Sequence, residues 1–235
     1  MTVDKIMADL QSHGSESIKK VLLKHGIKEP FFGVKVDYLK GIQKKIKKDY
    51  QLAKDLYATG NADAMYLAGL IADDAAMTRA DLQTWAEQAL STNINEYTVP
   101  WVAAEGKLGF EMAMKWIDSD QDHIAAAGWS TLGNMATLKA DTELDLVAYL
   151  ELLRRVVKTV HTSPNRVRSK MNSFVISVGS YINPLNKDAV AAANEIGAVY
   201  ADTSGTSCKV PDAVEYINKA IARGSLTKKK KTVKC

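Results

Sequence analysis

Three segments of this chain read as variants of one another: AMYLAGLIADDA (64–75), HIAAAGWSTLGNMA (123–136) and VRSKMNSFVISVGSYI (167–182). Each mixes small residues with apolar ones at helical spacing, the composition that lets neighbouring helices approach closely. Matching Gly128 to Asn172 gives a spacing of 44 residues, inside the roughly 40–47 expected of HEAT-type helical repeats. Gly69 to Gly128 is 59, so the repeat is irregular. Alternating Val/Ile/Thr runs and Asn-Gly or Asp-Gly hairpin turns are absent from the sequence, which removes the usual signals for a sheet.

The pattern predicts about twelve helices packed as antiparallel pairs into an all-α solenoid, a right-handed superhelix of HEAT-like repeats. Val167, Met171, Phe174, Val175 and Val178 mark one buried face of a helix opened by Ser163 and Pro164. Val214, Ile217 and Ile221 mark another, started by Pro211 and ended by Gly224. Residues 1–226 are expected to form one domain, and 227–235, containing KKKKTVKC, a disordered basic tail.

Charge is distributed unevenly. Residues 1–60 carry 12 Lys/Arg against 7 Asp/Glu, residues 61–150 carry 4 against 14, and residues 151–227 carry 10 against 6. Two basic ends therefore flank an acidic middle, and only the ends favour a polyanion. No apolar run reaches the roughly 18 residues of a membrane span. Two cysteines, Cys208 and Cys235, are too few for a disulfide framework, and the expected setting is the cytoplasm. Four scattered histidines offer no zinc-binding pair, and no phosphate-binding glycine loop occurs, so neither a metal nor an organic cofactor is expected.

The stretch FFGVKVDYLKGIQKKIKKDYQLAKDLYATGNADAMYLAGLIAD resembles the opening of the bacterial DNA alkylation repair family, the AlkD-like 3-methyladenine DNA glycosylases. Phe32, Gly33, Val34, Leu39, Ile42, Lys45, Leu56, Leu67 and Ala68 carry the likeness. It implies HEAT-like repeats holding duplex DNA on a concave face and excision of bases made cationic by alkylation. Such a site needs aromatic faces for the cation and a carboxylate for the oxocarbenium-like sugar.

The family's central motif is Asn-Trp-Asp-x-x-Asp. Aligned on Asn95, this chain places Glu96 at the tryptophan and Pro100 at the final aspartate. Trp101 and Glu105 restore the four-residue spacing in a shifted register and are the first catalytic candidates, with Tyr97 and Glu96 behind them. The family's next arginines fall on Ile124 and Ala125, and its later Gly-Trp pair on Asn172 and Ser173; Trp129 belongs to an earlier repeat and reads as core. Arg166, Arg168 and Lys170, on the helix after Pro164, together with Lys44 and Lys45, are the expected phosphate contacts. Whether the chain is an enzyme stays open. The expectation is a monomer that binds double-stranded DNA and excises alkylated bases; the alternative is a non-catalytic repeat protein binding branched DNA or a protein partner.

Overall fold

The computed structural model describes residues 1–202 and 209–234; Cys208, Cys235 and the predicted loop at Gly205 lie outside them. Among the described residues the regular structure is entirely helical. Helices α1 (Val3–Ser12), α2 (Glu16–Lys24), α3 (Val36–Ile46) and α4 (Tyr50–Ala58) lead into α5 (Ala62–Ile71) and α6 (Arg79–Gln88). A π-helical turn (Ile94–Thr98) runs into α7 (Val99–Glu105), followed by α8 (Gly109–Trp116), α9 (Asp122–Leu138) and α10 (Leu146–Thr159). The chain closes with α11 (Asn165–Tyr181), α12 (Asn186–Ile196) and α13 (Ala213–Ala222). They stack as a right-handed superhelix of HEAT-like repeats.

The inner layer is α5, α7, α9 and α11, and its composition explains its position. All ten residues of α5 are buried, so no polar stripe directs it to solvent. Alanine and glycine permit the close packing: a Cβ on Gly69 would lie 2.4 Å from Thr98 Cγ2, and one on Gly128 would lie 2.8 Å from the Ile117 nitrogen. The predicted inward face of α11 is buried throughout, and Trp129 lies against Phe174 with ring centroids 5.2 Å apart. The outer helices are amphipathic; α10 buries Tyr149, Leu152, Leu153 and Val156 and exposes Val147.

The inner helices run in one direction. At their N-terminal edge, Ala62 N–H donates to the Pro30 carbonyl, and the Asp63 carboxylate accepts from the Phe32, Gly33 and Val34 N–H groups at 2.6, 3.0 and 3.3 Å. That is the physical content of the Phe-Gly-Val motif: three successive backbone donors turned onto one buried carboxylate, with Gly33 at φ +80° making the turn. Burial raises the Asp63 carboxyl above its usual value, while those three donors and Lys19 pull it back.

Two predicted helix starts move. Pro164 is the N-cap of α11 rather than its first residue, and the Ser163 hydroxyl donates to the Thr159 carbonyl instead of capping. Asp212, not Pro211, begins α13, its carboxylate accepting from Glu215 N–H.

Candidate DNA-binding groove

The segment that departs from the family motif is also where the helical register changes. Pro100 has no N–H and cannot bond to the carbonyl four residues back. Just before it the ladder widens: Val99 N–H donates to the Ile94 carbonyl, five residues away. Such π-turns are rare and gather at functional sites. Here the turn buries Glu96 and leaves Tyr97, the next residue, 47% exposed.

Glu96 has a side chain only 1% exposed. Arg166, at the start of α11, closes on its Oε1 through both Nε and a terminal nitrogen. Lys170 Nζ lies 2.7 Å from Oε2 and 5.0 Å from the centre of the Tyr97 ring. The spacing of Arg166 and Lys170, one helical turn apart, delivers both cations to one carboxylate. This triad lines a groove of about 420 Å³ that also takes in His25, Thr92, Ser173 and Lys209. Of the acidic residues in the middle third of the sequence, Glu96 alone lines it among the described residues. The acidic excess of residues 61–150 is thus represented in the groove lining by a single carboxylate.

The structure places the other expected site residues elsewhere. Trp101 is 3% exposed, edge-on to Tyr66 at 5.3 Å, with no face open to a ligand. Glu105, at the far end of α7, accepts from the Thr232 hydroxyl and from Val233 N–H at 2.9 Å. Arg168 points away from Arg166 and donates to the carbonyls of Ser163 and Tyr200. Lys44 and Lys45 are exposed on α3, toward the edge where Lys47 and Lys48 meet the tail. The structure thus joins the catalytic candidates Glu96 and Tyr97 to the phosphate candidates Arg166 and Lys170; Trp101 is buried beside Tyr97, with ring centroids 6.1 Å apart, while Glu105 and Arg168 lie apart from the group. His25, Thr92 and Lys209 carry no sequence signal for the groove and reach it from outside the helices that frame it; Ser173, half-buried on α11, stands where the family's Gly-Trp pair falls.

Residues 229–234 of the basic tail make contacts with the helix ends. Lys229 Nζ donates to the Ala136 and Tyr181 carbonyls at 2.9 and 2.6 Å and pairs with Asp141 at 2.8 Å. Lys230 N–H donates to the Thr137 carbonyl at 2.8 Å, and Val233 packs on the core. Lys234 Nζ lies 2.7 Å from buried Asp74. Burial raises the Asp74 carboxyl, and Lys234 with Lys48 offsets part of that rise. These contacts have a physical basis: last-turn helix carbonyls lack intrahelical donors and attract cations, and the tail supplies both.

Comparison with known proteins agrees with this architecture. The family model described as DNA alkylation repair enzyme matches residues 6–217. Uncharacterised proteins of Listeria innocua and Listeria monocytogenes are each 30% identical over 226 residues, covering 94% of this chain and 97% of theirs. A solved structure, described as a new family of proteins related to the HEAT-like repeat DNA glycosylases with affinity for branched DNA structures, superposes with a TM-score of 0.92 at 36% identity over 100% of both chains. The chain belongs to the DNA alkylation repair enzyme family.

Proposed function

We propose that this protein binds branched DNA through the groove at Glu96, Tyr97, Arg166 and Lys170, and that it does so without excising bases. The observation that carries this reading is the pairing of both Glu96 oxygens with cations. A glycosylase needs a carboxylate free to face the developing positive charge on the sugar; Glu96 faces Arg166 and Lys170 instead, and Glu105 lies at the other end of α7. What remains available in the groove is donor capacity. A guanidinium has five N–H groups and an ammonium three, and Glu96 engages part of each. Arg166, Lys170 and Lys209 outnumber Glu96, so the groove keeps positive charge for phosphates. Buried Glu96 holds the two cations in fixed positions, and exposed Tyr97 offers a stacking face for an unpaired base at a junction. The neighbour's affinity for branched DNA supports the choice of substrate.

The test compares a four-way DNA junction with a linear duplex, and release of free base from methylated duplex. Junction binding is expected to weaken at least about tenfold in Arg166→Gln and Lys170→Gln, each phosphate contact contributing to the salt slope. Base release is expected to stay at the spontaneous rate in the parent chain. Release well above that rate, abolished by Glu96→Gln, would overturn the non-excising reading.

A further inference from the structure

The tail gives the molecule a second basic surface at the opposite ends of the helices that form the groove. Arg166 stands at the first turn of α11 and Tyr181 at its last residue, fifteen residues on, so the two edges are about 22 Å apart at about 1.5 Å per residue. Along the far edge the tail is two-faced. Lys229 and Lys234 turn inward to Asp141, Asp74 and the helix-end carbonyls, while Lys228, Lys230 and Lys231 are exposed. Arg223 adjoins this run at one end, and Lys47 and Lys48 adjoin it at the other.

We infer that this strip is a second DNA-binding surface, which holds the phosphate backbone of another arm of the same branched molecule. A lysine run on a flexible tail attracts any polyanion without fixing its position. Here the inward lysines and Val233 immobilise the backbone, so the outward ones are presented at set positions. Asp74, Glu105 and Asp141 on this edge are each engaged by the tail, by Lys234, by Thr232 with Val233 and by Lys229, so Lys228, Lys230 and Lys231 are not the groups that neutralise them. Two cationic edges, separated by a distance on the order of one duplex width, suit a ligand with two arms better than a single straight duplex. The proposal rests on the reading of the groove as a DNA site and adds to it the geometry that would distinguish branched from linear DNA.

The experiment uses the full chain with Lys228, Lys230 and Lys231 each replaced by Gln, and measures binding to a four-way junction and to a linear duplex across a salt titration. Junction affinity is expected to fall at least about tenfold, with the slope of log affinity against log salt reduced by about two to three. Linear duplex binding is expected to change less than about twofold. Unchanged junction binding would overturn the second surface, as would equal losses on junction and duplex, which would indicate one undivided site. If the parent chain binds neither DNA, the groove reading fails first, and retained binding of the variant to vesicles of anionic lipid would not rescue it.

Discussion

The two carboxylates that bracket α7 meet opposite fates. Glu96, in the π-turn before the helix, is sealed from water and shared by two cations from α11; Glu105, on the last turn, is partly exposed and takes its partners from the tail. Nine residues separate them in sequence, yet their partners lie 70 and 127 residues away. Proximity along the helix suggests a Trp101–Glu105 unit; the tertiary partners create a Glu96–Arg166–Lys170 unit instead. Which carboxylate gains a role is decided by what the superhelix brings to each end of the helix, and local spacing does not carry that information.

The sharpest way to test this division is to remove Trp101. As a core residue it should cost about 4 kcal/mol on truncation, as large aromatic-to-alanine changes do. Trp101→Ala should therefore lower the denaturant midpoint strongly, while any DNA binding that persists at low temperature keeps its affinity. A stable Trp101→Ala variant that fails to bind would return Trp101 to the site and collapse the contrast.

A smaller effect separates the carboxylates themselves. Glu96→Ala leaves Lys170 without its carboxylate in a nearly closed position and should cost about 3 kcal/mol. Glu105→Ala loses hydrogen bonds at a partly wet surface and should cost under about 1 kcal/mol, while quickening tryptic cleavage of the tail. Equal costs in urea unfolding of the two variants would show that burial does not distinguish the two ends.

The smallest effect concerns Asp81, a carboxylate on the outer layer that ties α6 to α4 through Tyr50 at 2.6 Å and Lys54 at 2.7 Å. Burial opposes its charge, but Lys54, Tyr50 and Thr78 prevail and hold the carboxyl well below its usual value. The folded state thus keeps Asp81 ionised at pH values where the unfolded chain protonates it. Its stabilisation is complete above about pH 4 and declines as pH falls further. Asp81→Asn should flatten the thermal midpoint's dependence on pH below about 4; an unchanged acid limb would place that dependence on other carboxylates.

Much of the fold is legible in the sequence because periodicity is a local property. The face from Val167 to Val178 and the core position of Trp129 follow from spacing alone. Helix starts shift by a residue or two because a proline fits both the cap and the first turn. The site is only partly legible. Arg166 and Lys170 announce themselves by their spacing, whereas the π-turn before Pro100 is seen only in the structure. Nothing local says that Glu96 points to them. Read by composition alone, the lysine tail belongs to solvent, since its acceptors, among them the Ala136 and Tyr181 carbonyls, are helix ends far away in the chain.

A stack of repeats in which each touches only its neighbours can fray one unit at a time. Residues 229–234 change that, because they rest at once on the ends of α5, α7, α9 and α11. Loosening any of those helices also loosens the strap that crosses the others. Those few residues thereby link the ends of four helices that would otherwise meet only through their neighbours.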